Sequence, residues 1–332
     1  MMRIKTMIAA AAIAVSTTAV AADMKPAVIY DMGGKFDKSF NEGVYNGVKK
    51  FTDETGIEVM EFEVTNATQR EQAMRRMAAR GATIVLGVGF AQADAISKVA
   101  AEFPDTKFSI IDVSWLDAPN LRQYAFKEHE GSYIVGVAAA KASKTGKVGF
   151  VGGMDIGLIR RFGCGYVGGV KSVNANAEVY QNMTGTTPSA WNDPAKGAEL
   201  TQSQIDRGAD VLYHAAGGTG AGVIQAAADP GKLAIGVDSN QNGMAPGSVL
   251  TSMLKRVDVA AYETFMDVKN GNFSAGVHVL GLAEGGVDWA LDENNASLVT
   301  DDMKAAIESA RADIISGKVK VHDYFSDESC PY

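Results

Sequence analysis

Strand-like and helix-like patterns alternate along almost the whole of this chain. That alternation restricts it to parallel sheets covered by helices on both faces. Short apolar runs at 27–31, 57–64, 83–88 and 107–113 read as strands. Between them, the patterned stretches 39–54, 69–80 and 91–102 read as helices, with Gly81 closing the second and Pro104 following the third. The order then restarts. Strands are expected at 147–151, 177–181, 210–214 and 233–238, and helices at 158–173, 194–207 and 219–228. The stretch 120–130, running into a helix at 131–143, reads as the first crossing between the halves. A strand at 249–253, a helix at 258–269, an extended segment at 277–282, a turn at Gly285-Gly286 and a helix at 300–316 complete the chain. A weak repeat supports two similar halves: Arg80-Gly-Ala-Thr-Ile-Val-Leu86 is echoed by Arg207-Gly-Ala-Asp-Val-Leu-Tyr213. The fold class is therefore α/β, with two doubly wound lobes and a cleft between them, a common ligand site. The expected division is residues 23–125 plus 251–275 for the first lobe and 126–250 plus 276–332 for the second.

The first 22 residues read as a secretory signal peptide. Arg3 and Lys5 precede an apolar run from Met7 to Val15, and Ala19-Val20-Ala21 supplies small residues for cleavage. Ser16-Thr-Thr18 interrupts the run before the roughly 20 apolar residues that a membrane span needs. About 310 residues remain, enough for two domains. A net charge of −8 argues against a nucleic-acid partner. The two cysteines, Cys164 and Cys330, could pair in an oxidising compartment, but spacing does not decide it. With four scattered histidines they form no metal-ligand pattern.

Chemistry-bearing residues gather where strands end, which in an open parallel sheet is the ligand edge. After the first strand come Asp31, Phe36, Asp37 and Asn41; Asp31 and Asp37 read as shaping the loop and capping the next helix. Asp112 and Asp238 each terminate an apolar strand. A carboxylate accepts hydrogen bonds only, so it suits a hydroxyl or N–H of a ligand. Phe36 and Phe162 suit stacking on a planar ring. Lys255 can donate to a ligand oxygen. Gly217-Gly-Thr-Gly-Ala-Gly222 lacks the Lys-Ser/Thr ending of a phosphate loop, and Gly163-Cys-Gly-Tyr-Val-Gly168 lies inside a helical pattern rather than after a strand. Neither a G-x-S-x-G elbow nor an H-E-x-x-H pair is present, so no catalytic residue is assigned.

Lys35-Phe-Asp-Lys-Ser-Phe-Asn-Glu-Gly43, Ala216-Gly-Gly-Thr-Gly220, Ile235-Gly-Val-Asp238, Thr251-Ser-Met-Leu-Lys-Arg-Val-Asp258 and Gly281-Leu-Ala-Glu-Gly-Gly-Val287 resemble the basic membrane protein family. These are substrate-binding proteins of ABC transporters, similar to the purine nucleoside receptor. The resemblance implies a type I periplasmic binding fold, with two lobes joined by three crossings and closing on ligand. It implies that Phe36 and Phe162 stack on a purine and that Asn41 and Asp112 bind its polar edge. Asp238, Lys255 and the backbone at Gly217 or Gly218 would hold ribose hydroxyls, and Gly89-Phe90 would line the base pocket. It implies a membrane permease and an ATPase as partners, with no cofactor, no metal and a monomeric chain. Family members often carry a cysteine at the cleavage site; here Ala19-Val-Ala-Ala22 stands instead, which implies free diffusion in a periplasm. The same frame would also serve another ring ligand, such as a free base or a flavin, or a sensory receptor. An exported nucleoside hydrolase is the remaining alternative.

Overall fold

The protein is described as a computed structural model over residues 24–332; the expected signal peptide lies outside the described residues. The first strand, β1 (Pro26–Tyr30), is buried at every position. An apolar run of this kind suits a central strand covered on both faces. The next helix, α1 (Phe40–Thr55), turns Val44, Val48 and Phe51 inward at helical spacing. It stops at Gly56, whose φ of 69° is the left-handed cap geometry glycine favours. Alternation continues through β2 (Met60–Glu63), α2 (Gln69–Ala79), β3 (Ile84–Gly87), α3 (Ala93–Glu102), β4 (Lys107–Ile111) and β5 (Leu121–Phe126).

The second half repeats the plan. It runs α4 (Glu128–Ala142), β6 (Lys147–Met154), α5 (Gly157–Val173), β7 (Glu178–Gly185), α6 (Pro194–Asp206), β8 (Val211–Ala215), α7 (Gly220–Ala228), β9 (Leu233–Asp238) and β10 (Val249–Lys255). Asp193 caps α6 by accepting from the Lys196 amide at 2.9 Å, with Pro194 at the first helical position. The chain ends with α8 (Val257–Asn270), β11 (Gly276–Leu280), β12 (Val287–Trp289) and α9 (Asp301–Ile315).

Two six-stranded sheets result. Their orders are β11-β5-β4-β3-β1-β2 and β12-β10-β9-β8-β6-β7, so the two halves share one topology. Among the described residues, only β12 pairs antiparallel, against β10. The sheets divide the chain at other places than 250/251 and 275/276. β10 pairs with β9 in the second sheet, where Val249 to Met253 is buried at every position. β11 pairs with β5 in the first sheet and has its other edge unpaired. The chain therefore passes between lobes at 126–128, at 255–257 and at 280–287.

The G-x-G-x-x-G stretch serves helix packing. A side chain at Gly165 would meet the His129 backbone at 2.4 Å, and one at Gly169 would meet the Tyr133 carbonyl at 1.9 Å. α5 therefore presses directly on α4. Cys164 and Cys330 form a disulfide, with Cα atoms 5.6 Å apart, which ties the C-terminal segment to α5 across 166 positions. A cross-link over so long a loop constrains the unfolded chain strongly. Replacing both cysteines by serine should lower unfolding stability by about 2–4 kcal/mol. Urea titration of the oxidised protein and the double variant reads this; coincident midpoints would contradict it.

Candidate functional site

The loop after β1 forms one wall of a cavity between the lobes. Its shape comes from internal hydrogen bonds. Asp37 accepts from the amides of Ser39 (2.8 Å), Asn41 (3.0 Å) and Glu42 (3.1 Å), and so caps α1. Asn41 accepts from the Asp31 amide at 3.2 Å, which fastens the start of the helix to the end of the strand. Asp31 is held by Arg70 at 2.8 Å. Asp31, Asp37 and Asn41 all line the cavity.

The floor is charged and buried. Asp112 follows β4 and Asp238 ends β9, the matching strand of the other lobe. Both adopt a left-handed backbone, with φ of 67° and 62°. Such a conformation is uncommon away from glycine, and Asp tolerates it better than most residues. Lys255, last residue of β10, places Nζ 2.7 Å from Asp112 Oδ1 and 3.0 Å from Glu128 Oε1. The rings of Phe40, Phe126 and Phe162 surround this ammonium at 5.1, 5.2 and 5.5 Å. Asp238 accepts from the Ser39 hydroxyl at 2.5 Å, across the lobes.

Burial governs the ionisation of these groups. It pushes Asp112 up to about 6, against the pull of Lys255 and with Glu128 adding to the rise. It pushes Asp238 up to about 6 as well, against Lys255 and the Ser39 hydroxyl. Burial alone would lower the Lys255 ammonium; Asp112, Glu128 and Asp238 outweigh it and hold the group above its ordinary value.

Of the expected site residues, Asn41, Asp112, Phe162, Gly217, Asp238 and Lys255 line one cavity, and Gly218 lies one position beyond its lining. Asp112 and Lys255 form a pair rather than standing at opposite ends of it. Phe36 is a correction. It is 60% exposed and stands edge-on to Tyr45 of α1, 5.2 Å between centroids, outside the cavity lining. The reason is where the helix begins: Asp37 caps α1, so Phe36 lies in the loop before it, whereas Phe40 opens the first turn and lines the cavity. Phe40 stood inside the recognisable Lys-Ser-Phe-Asn stretch, so its signal was present but was read one turn early. Phe90, Leu158, Ile159 and Trp191 add to the apolar lining. Trp191 had no signal in its own neighbourhood; it reaches the cavity because Gly153 leaves room, where a side chain would lie 2.1 Å from the indole.

The lobes meet around this cavity. Ser239 donates to the Ser39 carbonyl at 2.8 Å, and Gln241 donates to the Lys38 carbonyl at 2.9 Å. Buried His214 holds Gln241 from behind at 2.9 Å. The cavity contains about 610 Å³ of empty space, its open mouth included.

A two-lobed α/β fold of this kind has known counterparts. The family of ABC transporter substrate-binding proteins described as PnrA-like matches residues 25–324. The chain belongs to this Bmp family. It is similar to the ABC transporter nucleoside-binding protein BmpA of Lactococcus lactis subsp. cremoris, 33% identical over 321 residues, covering 90% of this chain and 89% of that one. It is also similar to basic membrane protein A of Borreliella afzelii, 32% identical over 305 residues, covering 89% of this chain and 91% of that protein. Among solved structures, an ABC transporter solute-binding protein from Aeropyrum pernix K1 superposes with a TM-score of 0.83 at 28% identity, covering 90% of this chain and 92% of that one.

The raised carboxyls have a measurable consequence. Asp112 and Asp238 start near 3.8 and reach about 6 in the folded protein, so the folded state binds protons more tightly than the unfolded chain. Their effect is therefore most favourable below about pH 4 and is lost as pH rises to about 6. Asp238→Asn should gain stability relative to the parent protein at pH 7 and not at pH 4, read by urea midpoints. Equal effects at both pH values would contradict a buried, ionised carboxylate.

Proposed function

We propose that this protein is the exported receptor of an ABC importer and captures a purine nucleoside between its lobes. The observation that carries this reading is the pairing of aromatic walls with a carboxylate floor. Phe40 from the first lobe, with Phe162 and Trp191 from the second, offers ring faces to a planar base. Asn41 supplies an amide for the base edge. Asp112 and Asp238 accept from N–H or hydroxyl donors, and Lys255 donates to an oxygen. The nucleoside-binding name of the Lactococcus relative points the same way.

Charge narrows the ligand further. Asp31, Asp37, Asp112 and Asp238 line the cavity, and the only cation among the lining residues is Lys255, already paired. A phosphate there would meet uncompensated negative charge, so nucleosides are favoured over nucleotides. Release to a permease follows from reopening of the lobes. Closure itself is a hinge motion at the crossings 126–128, 255–257 and 280–287. Export to a periplasm rests on the leader-like first 22 residues.

Thermal denaturation with a nucleoside panel tests the reading. Adenosine, guanosine or inosine at 100 times its dissociation constant should add about 2.7 kcal/mol of stability, and the matching 5′-monophosphates far less. In the same assay Phe40→Ala should weaken binding and Phe36→Ala should leave it unchanged. A melting curve unmoved by every nucleoside contradicts the ligand class, and an equal loss at positions 36 and 40 contradicts the cavity lining.

A further inference from the structure

Arg161 lies outside the lining of the ligand cavity, yet it joins the cavity floor to the C-terminal segment. α5 presents Gly157, Arg161, Cys164 and Gly168 along one stripe, at the spacing of successive helical turns. Residues 317–332 form a strap over that stripe. The Phe325 ring lies against Gly157, where a side chain would come within 3.0 Å of it. Asp323 grips Arg161 at two points, 2.7 Å from Nε and 2.6 Å from Nη2. Cys330 is bonded to Cys164, and the Tyr332 ring covers Gly168.

The inward side of the same guanidinium is equally engaged. Its Nη1 donates to the Phe126 carbonyl, at the first crossing between lobes, and to Glu128 Oε2 at 2.8 Å. Glu128 is almost wholly buried, and each of its oxygens has one cation: Arg161 on Oε2 and Lys255 on Oε1. Lys255 then reaches Asp112, which lines the cavity. An unbroken series of ion pairs runs from the strap to the cavity lining.

We infer that Arg161, held by the C-terminal strap, is a positioning residue for the ligand cavity: it occupies one oxygen of Glu128, so that Lys255 stays shared with Asp112. The physics is that of buried charge. Without Arg161, Glu128 has a single partner and draws the Lys255 ammonium away from Asp112. Asp112 then becomes harder to ionise, and the floor loses an acceptor. A lysine at 161 would restore charge but not the fork that reaches Asp323, Glu128 and the Phe126 carbonyl together. Asp112 is faced by Lys255 from β10, Glu128 from α4 and Asp238 from β9. Arg161 is faced by Glu128, Asp323 and His129, with Lys127 acting on the same imidazole. Burial first, and Arg161 next, bring His129 down to about 4, so it adds no charge near neutrality.

The affinity arm of the test rests on the nucleoside reading; the titration arm does not. Carbon-13 carboxyl titration of the ligand-free protein follows Asp112. Arg161→Gln should raise its midpoint by about one unit. Glu128→Gln, which is isosteric, should lower it, because Lys255 then serves Asp112 alone. Arg161→Gln should also weaken adenosine binding about tenfold, and Arg161→Lys should return the midpoint toward the parent value without restoring that affinity. If Asp112 titrates unchanged in both glutamine variants and only their melting temperatures fall, Arg161 is a structural residue and the inference is overturned. If Arg161→Gln fails to fold, the direction of the Glu128→Gln shift decides. A parent protein that does not bind adenosine would count against the nucleoside reading, and the titrations would still decide the role of Arg161.

Discussion

One buried ammonium organises this molecule. Lys255 stands where the second crossing leaves β10, and Asp112 and Glu128 contact it from the first lobe and from the first crossing. Removing either partner from such a cluster leaves an uncompensated buried charge, which costs about 3–5 kcal/mol. The cluster therefore restricts how the lobes sit relative to each other. It also leaves the floor of the cleft with more carboxylates than cations. Burial and that imbalance push Asp112 and Asp238 up to about 6, and the floor is suited to a neutral ligand that brings donors of its own.

The internal repeat explains why the site has two matching halves. Each lobe runs its first five strands in the same order, and each has an aspartate with a left-handed backbone at or just after the end of its fourth strand. Such a backbone is disfavoured for any residue with a side chain, so its appearance twice at one topological position points to use rather than accident. Functional strain of this kind is affordable where surrounding packing is dense, and β4 and β9 are buried along almost their whole length. The lobes then differ in what surrounds the carboxylates. The first supplies Phe40 and Asn41 from a capped helix. The second supplies Phe162 from α5 and Trp191 from a short 3-10 turn at Pro188–Trp191.

Much of the architecture was legible in the sequence because strand and helix periodicities differ and glycine and proline mark their ends. Asp112, Asp238 and Lys255 were legible for a related reason: they are polar residues at the ends of apolar strands. What failed was local phase and long-range contact. Phe36 and Phe40 sit four positions apart, and only the Asp37 cap settles that the helix begins at Phe40 and leaves Phe36 in the loop. Lobe boundaries at 250/251 and 275/276 were misplaced, because strand membership depends on pairing partners far away in the chain. Trp191 reaches the cavity only through the space left at Gly153. Arg161 was invisible for the same reason: its partners Glu128 and Asp323 lie 33 and 162 positions away.

The central claim is that ionised carboxylates in a closed cleft accept donors from an uncharged nucleoside. Isothermal titration of adenosine at pH 6, repeated in two buffers of different ionisation enthalpy, counts the protons exchanged on binding. A ligand that donates to Asp112 and Asp238 favours their ionised forms, so one-to-one binding with net proton release is expected. Binding accompanied by proton uptake, or by no exchange near the midpoint of both groups, would contradict the account.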